Sequence, residues 1–189
     1  MAGIANDLRQ RLLKIRRTST SSAKRYFYSR VEVEGVLGPD AVRECLASIP
    51  RLAGKERDVH RFASIVRESS LLILAILLFD GNQAHIMDFL FRRDSDDRIP
   101  YSEDSLDYLK PEHIRSQFVQ RQWEFHPVVL ERHDIPRDIH PDAILPILSE
   151  TRKGSGGFGT VWETRLYPTC QSIVPSAAGQ VGLGPRRQL

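Results

Sequence analysis

The nine residues Leu71 to Phe79, reading Leu-Leu-Ile-Leu-Ala-Ile-Leu-Leu-Phe, contain no polar side chain. A helix that is apolar all round is stable in water only when other parts of the fold cover every side of it. The run is about half of the roughly 20 residues needed to cross a bilayer, so a buried core helix is expected and a transmembrane segment is not. Phe62, Ile65 and Val66 form an apolar stripe just before it, which predicts one helix from Val59 to Phe79. Asp80-Gly81-Asn82 ends that helix with turn chemistry.

Other helical patterns flank this segment. Ile4, Leu8, Leu12 and Ile15 recur at spacings of three and four with arginines between them, predicting an amphipathic helix over 4–17 that ends at the hydroxyl run from Thr18 to Ser22. Val42, Cys45, Leu46 and Ile49 share one side of a helix that opens at Gly38-Pro39-Asp40 and stops at Pro50. Ala84, Met87, Phe89, Leu90 and Phe91 supply the apolar face of another. Ile114, Phe118, Val119, Gln122 and Trp123 are expected to face inward on a helix over 112–125. Prolines 127, 136, 141 and 146 then make residues 126–146 an irregular connector.

Charge is uneven. Residues 1–30 carry Arg9, Arg11, Lys14, Arg16, Arg17, Lys24, Arg25 and Arg30 against Asp7, while the whole chain has a net charge of only +3. No nucleic-acid partner is implied by that balance. The basic helix followed by hydroxyl residues has the composition of a mitochondrial presequence, but a retained structural helix and a cytoplasmic or nuclear location are expected. Arg16-Arg17-Thr18-Ser19 resembles a substrate site for an arginine-directed kinase. Cys45 and Cys170 are too scattered for a disulfide framework and read as small apolar residues. His126, His133 and His140 recur every seven residues, yet the prolines forbid the helix that would align them on a metal.

From Ile147 the pattern changes to strand, loop, strand. Residues 147–153 precede Gly154-Ser155-Gly156-Gly157-Phe158-Gly159, and Trp162, Thr164 and Leu166 then alternate with Val161, Glu163 and Arg165. Gly154, Gly156 and Gly159, with Val161, spell G-x-G-x-x-G-x-V, the loop that closes over the phosphates of ATP in protein kinases. Glycines let such a tip fold close over a polyphosphate, so that backbone N–H groups donate to its oxygens. Gly157 belongs to the same tip, Phe158 would cap it, and Val161 would lie against the adenine. A dinucleotide-binding loop would need a helix after the glycines and an acid some twenty residues on; the continuation here is strand-like, and positions 164–189 contain no acid.

The block Gln120-Arg121-Gln122-Trp123-Glu124-Phe125, His133, Ile144-Leu145-Pro146 and Gly156-Gly157-Phe158-Gly159 with Val161 resembles a family of protein-kinase-like proteins from filamentous fungi. The Leu71–Phe79 segment, Asp80-Gly81-Asn82, Ile86, Phe89-Leu90 and Asp96 extend the likeness, which covers about residues 8–171. In that family a helical N-terminal region precedes a serine/threonine-type kinase domain. The resemblance implies protein kinase activity and ATP as cofactor.

The chain departs from the family where catalysis begins. A third strand should carry a lysine for the α- and β-phosphates, followed by a catalytic aspartate and an Asp-Phe-Gly metal site. No lysine follows Lys153, and only 30 residues follow Gly159. Arg132-His133-Asp134 and Phe79-Asp80-Gly81 hold similar letters, but both precede the loop. Phosphoryl transfer rests on placing metal, lysine and base around one phosphate, so no catalytic residue and no metal ligand are assigned. The tail after Gln171 is rich in Gly, Ser, Ala and Pro without periodicity; disorder is expected, as in a chain truncated or read out of frame there.

The expected fold is therefore mainly α. A basic N-terminal helix and linker (1–29) lead into a helical domain (30–125) and the proline-rich connector (126–146). A partial kinase N-lobe hairpin (147–171) and a disordered tail (172–189) follow. The expected function is that of a kinase-related, catalytically inactive protein with weak or absent ATP binding. A helical protein–protein interaction module, with a partner that the sequence does not name, is the alternative.

Overall fold

The computed structural model describes residues 3–21, 25–131, 138–157, 159–172 and 180–186. It is mainly helical, with a C-terminal antiparallel hairpin. The helices are α1 (Gly3–Ile15), α2 (Arg30–Val36), α3 (Pro39–Ala47), α4 (Glu56–Ser69), α5 (Leu71–Phe79), α6 (Ile86–Arg92) and α7 (Glu112–Phe125). The strands are β1 (Arg17–Thr18), β2 (Tyr26–Phe27), β3 (Ile147–Gly156), β4 (Gly159–Leu166) and β5 (Gln180–Arg186). No single helix among the described residues is long and apolar enough to cross a membrane.

Every residue of α5 is buried, as its sequence demands. Around it pack α1, α2, α4, α6 and α7. Leu8 and Leu12 of α1 are fully buried in the same core, so the basic helix is an integral wall of the helical body. Its arginines keep to the outside, where a charged head stays hydrated.

The helix expected from Val59 to Phe79 is two helices, bent by 101° at Ser70. Ser70 leaves helical geometry at φ −141°, ψ 28°, and its hydroxyl donates to the Asp94 carbonyl at 3.1 Å. A straight helix would carry either the charged face of α4 or the apolar run of α5 out of its proper environment. The bend lets α4 stay on the surface while α5 enters the core.

Two further differences concern burial. Phe91, expected inward on α6, is 60% exposed, and Ile86 takes a buried place instead. Ile86, Met87 and Phe89 make the inner stripe, to which a residue at position 91 does not return. On α7, Phe125 joins Ile114, Phe118 and Gln122 inside, while Val119 and Trp123 are half-buried.

Part of the tail also has structure. Gln180–Arg186 pairs antiparallel with β4, with Trp162 opposite Leu183 and Thr164 opposite Val181, giving the sheet order β3-β4-β5. A hairpin leaves one edge of β4 with unpaired backbone groups, which a third strand satisfies. Pro185 is tolerated there because β5 is an edge strand.

Candidate functional site

β3 and β4 pair from Ile147↔Leu166 at the root to Gly156↔Gly159 at the tip. Gly154 stands opposite Val161, and a register shift between Arg152 and Gly154 leaves Lys153 as the extra residue on its strand. Gly157 lies in the turn; Phe158 lies outside the described residues. Of the motif's glycines, Gly159 has φ 131°, a conformation open to glycine and strained for other residues. Gly154, Gly156 and Gly157 are set apart by space instead: a Cβ built on any of them meets nothing within 4 Å.

The tip projects into solvent. Thr151 to Gly157 are exposed, and Val161 is 46% exposed. Lys153 reaches across to Glu163 at 2.7 Å, forming a cross-strand pair on the stem. Backbone N–H groups at such a tip can donate to an anion, and the absence of side chains on the glycines leaves room for close approach. The tip has no facing wall among the described residues that would cover a base or a metal, and no cluster of three metal-ligating side chains occurs among them.

The root is held more firmly. Ile147 and Leu166 are buried with Leu130, flanked by Val128 and Leu145. The proline-rich connector supplies these contacts because its backbone pairs locally: Val128 N–H to Ile144 O at 2.9 Å, and Leu130 N–H to Cys170 O at 3.1 Å. Phe27 is buried against Ile144 and Cys170, with Trp123 and Tyr167 packed around them. Ser29 Oγ and Thr169 Oγ1 meet at 2.6 Å. The hairpin is thus docked on the end of α7 through the β2 segment.

His140 lies flat against Trp123, with ring centroids 4.4 Å apart and planes 14° apart. The stack gives this connector histidine a packing role; His133 lies outside the described residues. Arg132-His133-Asp134 falls outside the described residues. Asp80 of the Phe79-Asp80-Gly81 triplet accepts from Arg121 at 3.2 Å, which also pairs with Glu124. Arg16 reaches Glu124 at 2.9 Å and lies over the Tyr26 ring at 3.5 Å. Tyr28, stacked on Phe125 at 4.2 Å, is fully buried beside these four charges, and burial pushes its hydroxyl pKa up. The cluster ties the C-terminal ends of α1 and α5 to α7.

Sequence reasoning did not identify Asp96 or Ser19 as polar anchors. Asp96 accepts from the backbone of α5, and Ser19 donates to Leu145 O at 2.7 Å. Neither has a local signal, because both partners are distant in sequence.

No family model, no curated protein and no solved structure matches this chain.

Proposed function

We propose that this chain is a non-catalytic, protein-kinase-related protein that carries a glycine-rich nucleotide lid on a helical body. One observation supports the reading above others: Gly154, Gly156, Gly157 and Gly159 lie at the tip of an antiparallel hairpin. The glycines lead into a second strand, whereas a dinucleotide loop requires a helix at that point. The backbone of Gly154, Gly156, Gly157 and Gly159 would hold the phosphates of ATP, with Phe158 capping the tip and Val161 toward the adenine. Bound ATP would supply a transferable phosphoryl group. The described residues supply a lid alone, and the nearby lysine, Lys153, is paired with Glu163. No phosphoryl-transfer step is assigned to the chain.

A thermal shift with Mg-ATP tests the lid. Stabilisation that disappears in Gly154→Val and Gly156→Val supports it. These two positions serve better than Gly159, whose backbone strains any other residue. No stabilisation of the wild-type chain removes the nucleotide reading. Transfer of labelled phosphate to a general protein substrate above background removes the non-catalytic one.

A helical interaction module is the second reading. It is favoured by Phe91, which packs edge-to-face on Phe62 at 6.3 Å yet remains 60% exposed. A mostly apolar cleft of about 370 Å³ between Trp123, Pro127, Val129, Ile139 and His140 also supports it.

A further inference from the structure

We propose that Ser19 is a phosphorylation site, and that its modification unlatches the β-hairpin from the helical body. The proposal does not rest on the kinase-related reading and stands whether or not nucleotide binds at the glycine tip.

The latch is short and specific. Ser19 is fully buried. Its hydroxyl donates to Leu145 O at 2.7 Å and lies 2.9 Å from Ser21 Oγ. The next residue adds two bonds to the first residue of β3: Thr20 N–H to Ile147 O at 2.8 Å, and Thr20 Oγ1 to the same oxygen at 3.3 Å. Residues 19 and 20 thereby tie the N-terminal segment to the hairpin root across 126 and 127 positions of sequence.

Arg16 and Arg17 stand three and two residues before Ser19, the arrangement that arginine-directed protein kinases read. Both are engaged in the closed latch, Arg16 with Glu124 at 2.9 Å and Arg17 with Glu32 at 2.6 Å. The strand ladder that holds the segment has two residue pairs, Arg17↔Phe27 and Thr18↔Tyr26. So short a ladder opens locally at small cost compared with global unfolding. One opening event therefore frees the acceptor hydroxyl and both of the arginines that a kinase needs.

The modified state cannot close again. In the transfer, a bond forms between Ser19 Oγ and the γ-phosphorus of ATP and the bond to ADP breaks. The hydroxyl proton passes to the base of the modifying kinase. The product is close to a dianion whose oxygens only accept hydrogen bonds at neutral pH. Returned to its site, it would face the Leu145 carbonyl oxygen in a dry environment, with repulsion in place of a bond and only the Ser21 N–H, 3.2 Å from Ser19 Oγ, and the Ser21 hydroxyl as nearby donors. The phosphate instead remains in solvent, with Arg16, Arg17 and Arg25 close by in the chain as counter-ions.

The test treats the full chain with an arginine-directed kinase and Mg-ATP, maps phosphate by tandem mass spectrometry, and follows amide exchange. The expected result is phosphate on Ser19, added about tenfold or more slowly than to a peptide of residues 12–24, because opening must come first. Phe27→Ala, which loosens the hairpin junction without touching the motif, raises the rate several-fold. Phosphorylation speeds amide exchange at Thr20 and the hairpin root about tenfold or more while α5 stays protected. The proposal is overturned if the peptide is not modified, or if Ser19 stays unmodified in both the full chain and Phe27→Ala. Phosphate on Thr18 or Thr20 in place of Ser19, or phosphorylated Ser19 with unchanged exchange at the root, overturns it equally. So does loss of protection in α5 along with the hairpin.

Discussion

Asp96 caps a helix to which it does not belong. Its carboxylate accepts the Leu72 N–H at 3.0 Å and the Ile73 N–H at 3.1 Å, at the first turn of α5. Helix α5 begins with Leu71, Leu72 and Ile73, and Ser70 makes no side-chain cap bond. The unpaired donors of a buried helix start must find acceptors somewhere, and the negative charge also suits the helix N-terminus. Asp96→Ala should cost about 1–3 kcal/mol, by the loss of bonds to buried donors, and Asp96→Asn should cost less. Urea unfolding of the two variants checks this order.

The same carboxyl gives a pH dependence. Burial raises its pKa, while the Leu72 and Ile73 amides and the Arg30 guanidinium pull it down by less. The folded chain therefore holds the proton more tightly than the unfolded chain does. Stability from this group is full below the ordinary aspartate value of about 3.9 and is lost as pH rises through the raised value. Between about pH 4 and 7, Asp96→Asn should gain on the wild type as pH increases. Urea midpoints of both proteins across that range decide it; a constant difference contradicts the raised pKa.

The glycines of the tip should respond unequally to alanine. Gly154 and Gly156 have open space where a Cβ would go, and loss of backbone freedom in the unfolded chain favours replacement. Gly154→Ala and Gly156→Ala should stay within about 0.5 kcal/mol of wild type. Gly159, at φ 131°, should lose about 1–3 kcal/mol from the hairpin on change to alanine. Amide exchange of β3 and β4 reads the difference locally.

These features mark how far the sequence was legible. The bounds of α7 and the burial of α5 follow from local periodicity, because each helix shows its environment in its own residues. The strand–glycine–strand pattern was equally plain, since alternation and turn chemistry are local signals. The bend at Ser70 was hidden, because serine is tolerated in a helix and its partner, the Asp94 carbonyl, lies 24 residues on. The strand Gln180–Arg186 was hidden for another reason: its glycines and proline argue against a strand until the free edge of β4 is known. The Ser19 latch could be noticed only as a kinase motif, its structural partner being in the connector.

Phe27 should decide whether hairpin and helical body separate. It is fully buried against Ile144 and Cys170 and meets Tyr167 edge-to-face at 5.6 Å. Phe27→Ala leaves a cavity at that junction and should cost about 3–5 kcal/mol of docking. The main core around α5 does not include Phe27, so exchange protection should fall at Leu130, Ile147 and Tyr167 and persist in α5. Equal loss in both regions shows one cooperative unit instead.

The two cysteines give an independent readout of that division. Burial pushes Cys45 up to about 12 and Cys170 up to about 11. The thiolate is the form that reacts, so at about pH 8 native alkylation by iodoacetamide should be at least ~100-fold slower than in urea. Cys45 lies in the main core on α3, whereas Cys170 lies under Phe27 beside the hairpin root. In Phe27→Ala, Cys170 should become reactive while Cys45 stays protected, because only the smaller cluster has lost its central side chain. Mass spectrometry of timed alkylation distinguishes the sites, and parallel reaction of both thiols rules out separate opening of the hairpin.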